Sequence, residues 1–214
     1  MKYTTVLFDL DGTLLNTLDD IRDSVNHVLT LHSFPERSRE QVRMAVGNGA
    51  AKLLERSLPE GRNTPDFDAL LAEYRDWYLA HNLDKTAPYE GVHQLLRSLV
   101  AREYKVAVVS NKPDANTRAL VRHFFGDVVS VAIGEKDGVR PKPAPDTVNA
   151  ALRELASYNW ESVYVGDSEV DLKTAYAARM DCISVAWGFR SRTFLEEAGA
   201  KTVVTRPMDI LKLV

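Results

Sequence analysis

Five short apolar runs recur along this chain, at residues 6–8, 106–109, 163–165, 183–185 and 203–204. A short, mainly apolar run of that kind suits a strand covered on both faces. Most of the runs are separated by stripes of helical period. Val92, Leu95, Leu96 and Leu99 fall at i, i+3, i+4 and i+7; Leu120, Val121, Phe124 and Phe125 form a second stripe, and Val148, Leu152 and Leu155 a third. Strands alternating with helices build a mostly parallel sheet with helices on both faces. The expected class is therefore α/β, with a Rossmann-like, doubly wound core.

Residues 15–84 break this rhythm with helical stripes alone. Leu18, Ile21, Val25 and Val28 form one, and Phe67, Leu70, Leu71, Tyr74 and Trp77 another, with "SLPEGRNTPDF" as a loop between helices. "DKTAPYEG" reads as the return. The expected division is an α/β core from 1–14 and 85–214, interrupted by an all-helical insert over 15–84. At 214 residues the chain has room for a core and a small accessory unit. Lys+Arg 27 against Asp+Glu 30 leaves a net charge of −3, which gives no support to a nucleic-acid partner or an anionic membrane. Cys182 is the single cysteine, so no intrachain disulfide forms and a reducing compartment is expected. No apolar run reaches the length of a membrane span, and the start shows no secretory pattern. A cytoplasmic protein, monomer or homodimer, is the expectation.

The polar residues gather after the apolar runs. In "TTVLFDLDGTLLNT", residues 4–17, the most buried kind of strand ends in Asp9 and Asp11. Ser110, Asn111 and Lys112 follow the second run. Gly166 and Asp167 follow the third, with Asp171 four residues on, and Lys142 lies before it in "RPKPAPD". Ligands of open α/β sheets bind beyond the carboxyl ends of the strands, so these groups would share one crevice. Clustered carboxylates repel one another and call for a cation. Hard oxygen ligands select Mg²⁺ or Ca²⁺, and Mg²⁺ suits few carboxylates, several waters and a substrate phosphate. Residues i and i+2 of an extended segment share a side, roughly 6–7 Å apart. Asp9 and Asp11 would flank one reacting group, one attacking and the other handling the proton of the leaving oxygen. Loop amides around Leu10, Gly12 and Asn111, with Ser110 and Lys142, would hold phosphoryl oxygens.

The ordered set "DLDGT", Ser-Asn at a strand end, Lys in "KPAP" and "GDSEVD" resembles the haloacid dehalogenase superfamily of hydrolases. The insert resembles that family's C1-type cap domain. Within the family, "VGNGAAKLL" (46–54), "SNKP" and "RPKPAPD" resemble the phosphoglycolate phosphatase branch. The resemblance implies a Mg²⁺-dependent hydrolase of a small phosphorylated metabolite. Asp9 would be the nucleophile and form an aspartyl-phosphate; Asp11 would be the acid and base. Ser110 and Lys142 would bind the phosphoryl group. Mg²⁺ would be held by Asp9, the backbone carbonyl of Asp11, and Asp167, with Asp171 in support. The cap would close over the site and read the leaving group.

Each residue also has a plainer reading. Asp167 or Ser168 suits a helix N-cap with acids in the first turn, which is compatible with metal binding. Gly47, Asn48 and Gly49 suit a turn between helices as well as a substrate loop. Lys112 falls either on a substrate carboxylate or in solvent. Arg190, past a strand tip, reads as a surface residue. His27, His93 and His123 read as structural, and Trp77 and Tyr78 as packing in the insert. Asp11 argues against a dehalogenase, which needs no second acid. The absence of lysine from residues 15–33 argues against a phosphonoacetaldehyde hydrolase. Thr13 replaces the valine usual in β-phosphoglucomutases, although a mutase or an inorganic pyrophosphatase stays open. A phospho-accepting receiver domain is the non-enzymatic alternative; the large insert after the first strand argues against it.

Overall fold

β1 (Thr5–Phe8) leads into β2 (Leu15–Asn16), then into four helices, α1 (Leu18–Leu31), α2 (Arg39–Ala45), α3 (Ala50–Ser57) and α4 (Phe67–His81), and then β3 (Ala87–Pro88). Helices and strands alternate from there: α5 (Val92–Ala101), β4 (Lys105–Pro113), α6 (Asp114–Phe125), β5 (Val131–Glu135), α7 (Asp146–Glu154), β6 (Ser162–Gly166), α8 (Glu169–Ala177), β7 (Asp181–Val185), α9 (Arg192–Glu197) and β8 (Val203–Val204). These elements come from a computed structural model that describes residues 2–214. They divide into two units, Met1–Leu15 with Pro88–Val214, and Asn16–Ala87.

The first unit is built on a six-stranded sheet of order β5-β4-β1-β6-β7-β8. Its paired strands are parallel. Val6 lies opposite Val106 on one side and Val163 on the other. Strand order runs outward from β1 through β4 to β5, then restarts on the other flank with β6. That reversal beside β1 is a topological switch point, where such sheets bind ligands.

Side-chain alternation along the strands feeds two apolar layers. Val6, Phe8, Val108, Val163 and Val165 pack with Val92, Leu95, Leu96 and Leu99 of α5 and with Leu120, Val121 and Phe125 of α6. Leu7, Ala107 and Val109 face the other way, against Val148, Ala151 and Leu152 of α7. Covering both faces explains why the strands read as continuous apolar runs rather than as alternating ones.

Two features differ from the sequence expectation. Strand β5 was not expected; its residues lie in "VVSVAIGE", which follows the apolar stripe of α6 and blurs into it. Strand β4 also does not end at Val109: it runs to Pro113, with a register shift between Val109 and Pro113. Ser110, Asn111 and Lys112 lie inside this irregular stretch. An irregular register re-aims side chains, a habit of strand ends near binding sites.

The second unit is helical. Leu18, Ile21, Val25 and Val28 are buried along α1, as are Phe67, Leu70, Leu71 and Tyr74 along α4. Trp77 is half-buried between two imidazoles: its ring stacks on His27 at 3.5 Å and on His81 at 4.1 Å. Asp20 is buried, and its carboxylate accepts from the Lys85 N–H (2.9 Å), the Thr86 N–H (2.9 Å) and the Thr86 hydroxyl (2.8 Å). That network fastens the unit's exit segment to its first helix.

Candidate active site

Asp9 follows β1 directly, and its N–H donates to the Val165 carbonyl at 2.9 Å, extending the ladder toward β6. Asp167 follows β6, and Asp171 lies in the first turn of α8. One carboxylate oxygen from each of Asp9, Asp167 and Asp171 lies within 4.8 Å of the other two, and all three residues are buried. The Lys142 Nζ stands 2.9 Å from Asp9 Oδ1 and 2.8 Å from Asp171 Oδ1. Residues more than 130 positions apart in the chain thus meet beside the switch point.

Local structure explains how each acid is aimed. Ser168 precedes α8, and Asp171 Oδ2 accepts from its N–H (3.1 Å) and its hydroxyl (2.7 Å), which locks the carboxylate onto the helix start. Asp167 Oδ2 accepts from the Phe189 N–H at 2.6 Å, and Oδ1 from the Thr13 hydroxyl at 3.3 Å. The Trp187 indole N–H donates to the Thr13 carbonyl at 3.0 Å, joining the loop after β7 to the loop after β1. Close approach of these loops depends on glycine. Gly12 has φ +84°, and a Cβ on it would overlap the Asp167 carboxylate; a Cβ on Gly188 would overlap the Gly12 carbonyl.

The cluster is electrostatically unbalanced. Burial raises the pKa of Asp9, and repulsion from Asp171 and Asp11 adds to it against the pull of Lys142. Burial likewise raises Asp167 well above the usual range, reinforced by Asp171 and Asp9 and opposed by the Phe189 N–H and Arg190. For Lys142 burial acts downward, but Asp171 and Asp9 outweigh it and keep the ammonium charged. Two carboxylates at such separations repel by about 3–4 kcal/mol at an effective dielectric near 20. Asp9, Asp11, Asp167 and Asp171 face the ammonium groups of Lys142 and Lys112, while Arg190 is paired with Glu169 at 3.2 Å. Two formal negative charges remain. An all-oxygen donor set with that surplus fits a hard divalent cation.

Replacing Asp167 by asparagine removes one of the repelling charges and keeps the shape. The variant is expected to gain about 1 kcal/mol in Mg²⁺-free buffer, a Tm rise of roughly 2–4 °C for a protein of this size. It should also lose the Mg²⁺-induced stabilisation, which for the wild type is about 2.7 kcal/mol at a hundred times Kd. Thermal melts with and without Mg²⁺ check both. A variant that keeps the full Mg²⁺ shift would remove Asp167 from the cation site.

The other residues named from sequence fall as follows. Ser110 is buried, its hydroxyl accepting from the Lys112 N–H at 3.2 Å. The Asn111 side chain clamps the main chain of Lys142, accepting from its N–H at 2.7 Å and donating to its carbonyl at 2.9 Å. Lys112 is buried rather than solvated, with Nζ 3.0 Å from Asp11 Oδ1. The pair is within ionic reach without hydrogen-bond alignment, since Asp11 Oδ1 accepts no hydrogen bond among the described residues. Two loop amides expected to meet phosphate are already engaged: the Leu10 N–H donates to Asp9 Oδ1 at 2.7 Å and the Gly12 N–H to the Leu15 carbonyl at 2.8 Å. Gly12 serves the site through its missing side chain instead. Arg190 is a correction: it is 4% exposed, not a surface residue, because the loop after β7 folds it onto Glu169 at the start of α8. Gly47, Asn48 and Gly49 belong to the helical unit, where Asn48 Oδ1 accepts from Arg56 at 2.9 Å and Gly49 precedes α3. Thr13, Tyr164, Gly188 and the Phe189 N–H shape the site but were not anticipated.

A parallel sheet whose central strand delivers an aspartate into a buried carboxylate–lysine cluster at its switch point defines an α/β enzyme. The family model described as haloacid dehalogenase-like hydrolase matches residues 6–185, and the chain belongs to that family. Its relatives include the phosphoglycolate phosphatase of Pseudomonas putida, 32% identical over 190 residues, 86% of this chain and 70% of that protein. Pyrophosphatase PpaX of Listeria monocytogenes is 30% identical, covering 100% of this chain and 97% of its own. A solved structure from Lactobacillus delbrueckii subsp. bulgaricus, provisionally named a phosphoglycolate phosphatase, superposes with a TM-score of 0.94 at 31% identity, covering 100% and 98% of the two chains. No helix among the described residues is long and apolar enough to cross a membrane.

Proposed function

We propose that this protein is a Mg²⁺-dependent phosphatase that hydrolyses a small phosphate monoester through a phosphorylated Asp9. The carrying observation is Asp9 itself: it is buried at the switch point, held 2.9 Å from the Lys142 ammonium and ringed by further carboxylates. An Asp9 oxygen attacks phosphorus as the ester P–O bond breaks, and Asp11, which takes up a proton from solvent before this step, gives it to the departing oxygen. Asp11 then takes a proton from water, the water oxygen bonds to phosphorus, and the Asp9–phosphate bond breaks. Ser110 and Lys142 hold phosphoryl oxygens, and Asn111 holds Lys142. Mg²⁺ would be held by Asp9, the Asp11 carbonyl and Asp167, neutralising charge on the phosphoryl group; Asp171, hydrogen-bonded at both oxygens, orients Lys142.

We take 2-phosphoglycolate as the substrate to test first. Lys112 sits beside Asp11, so a leaving group with a carboxylate next to its departing oxygen would meet a positive charge there. Substrate choice is further assigned to the helical unit, Gly47, Asn48 and Gly49 included. Likeness to a protein named as a pyrophosphatase over nearly its whole length favours pyrophosphate as the second candidate. The test compares kcat/KM for 2-phosphoglycolate, pyrophosphate and p-nitrophenyl phosphate, with and without Mg²⁺. All hydrolysis should require the metal, with 2-phosphoglycolate preferred. Metal-independent hydrolysis, or none on any phosphate ester, would overturn the reading. A preference for pyrophosphate would move the substrate and leave the chemistry.

A further inference from the structure

Tyr164 lies at the middle of β6, fully buried. Its strand is paired on both sides, with Tyr164 opposite Leu7 of β1 and Cys182 of β7. Its side chain joins the apolar layer of Leu7, Ala107 and Val109. A phenol oxygen in such a layer is costly to bury unless it is hydrogen-bonded, and Phe would fill the same space without that cost. The oxygen is used: Lys142 Nζ lies 3.1 Å away, Asp171 Oδ1 3.3 Å and the Val109 carbonyl 3.4 Å.

Proton accounting gives the direction of these bonds. An ammonium donates three hydrogen bonds and accepts none. Lys142 meets three acceptors: Asp171 Oδ1 at 2.8 Å, Asp9 Oδ1 at 2.9 Å and the Tyr164 oxygen at 3.1 Å. The phenol therefore accepts from Lys142, and its own O–H turns to Asp171 or to Val109. Asp9 and Asp171 hold the ammonium by charge, which is strong but weakly directional. Tyr164 is the neutral partner, fixed to a strand that cannot shift. The main chain of Lys142 is meanwhile clamped by Asn111.

We infer that Tyr164 is a positioning residue for the proposed phosphoryl-transfer site, a rigid post that sets where the Lys142 ammonium meets the phosphoryl group. The inference rests on the reading of Lys142 as a phosphoryl ligand. Tyr164→Phe keeps the ring and removes the post. The probe is inorganic phosphate, its affinity measured by calorimetry in saturating Mg²⁺. Tyr164→Phe should bind phosphate about tenfold more weakly than wild type, a loss in the range of a mispositioned charged hydrogen bond. The same substitution in a Lys142→Met background should cost nothing further, since the group it positions is gone. Lys142→Arg serves instead if the methionine variant does not fold, which circular dichroism decides; the arginine fork cannot use the post as the ammonium does, so the added loss should again vanish.

A merely structural tyrosine predicts otherwise. Phosphate affinity equal to wild type in Tyr164→Phe, or an undiminished tenfold loss in the Lys142 background, would overturn the inference. Failure of the wider reading looks different: wild-type enzyme would then neither bind phosphate nor hydrolyse phosphate esters in Mg²⁺.

Discussion

Asp9→Asn will abolish turnover while leaving the fold intact. The substitution keeps the size of the side chain and an oxygen to accept the Leu10 N–H, which now meets Asp9 Oδ1 at 2.7 Å. It removes the anionic oxygen that attacks phosphorus. A neutral amide is a far weaker nucleophile, and the two other carboxylates of the buried cluster are tied to partners of their own: Asp171 is held by Ser168 and Lys142, and Asp167 by the Phe189 N–H and Thr13. The expected loss in kcat on p-nitrophenyl phosphate is on the order of 10⁴-fold or more, at least about 5 kcal/mol of barrier. Steady-state kinetics beside far-UV circular dichroism measure both halves of the prediction. Residual activity above about a tenth of wild type, in a folded variant, would take the nucleophile role from Asp9.

Lys142→Met should cost nearly as much in activity and far more in stability. Lys142 is 3% exposed, and its ammonium stands between two buried carboxylates. Methionine matches its length but leaves Asp9 and Asp171 without their counter-ion. Breaking a buried pair from one side costs about 3–5 kcal/mol, because a desolvated charge is left uncompensated. Denaturant unfolding in Mg²⁺-free buffer should show a loss of that size. Part of it should return on adding Mg²⁺, which supplies positive charge to the same carboxylates. A variant as stable as wild type in Mg²⁺-free buffer would mean that the acids are neutral without the lysine, and that the charge balance drawn here is wrong.

Sequence pattern was informative where function and burial pull against each other. Asp9 and Asp11 stand out because carboxylates rarely end a strand buried on both faces, and Asp167 stands out for the same reason; Asp171 is legible only as its neighbour in the first turn of the next helix. Their convergence with Lys142 follows from parallel topology, which puts strand ends on one side. Strand β5 was hidden because Val128 and Val129, just before it, continue the helical spacing of Leu120, Val121, Phe124 and Phe125 past the Gly126-Asp127 turn, so the apolar stretch blurs into the stripe of α6. Tyr164 was invisible because tyrosine is an ordinary strand residue; only its neighbours across the sheet give its oxygen a purpose. The Phe189 N–H carries no side-chain signature at all. Arg190 reads as exposed by residue type, and its burial depends on a loop folding back onto α8. The stacking of His27 on Trp77 comes from packing α1 against α4, a tertiary fact that neither helix announces, whereas Trp77 and His81 are neighbours at i, i+4 along α4 itself.

Whether a protein group carries the phosphoryl moiety between alcohol and water can be decided by the stereochemical course at phosphorus, followed with an isotopically chiral phosphate ester. Two successive in-line displacements, first by Asp9 and then by water, predict net retention of configuration. Net inversion would mean that water attacks the ester directly, and the covalent role given to Asp9 would be refuted.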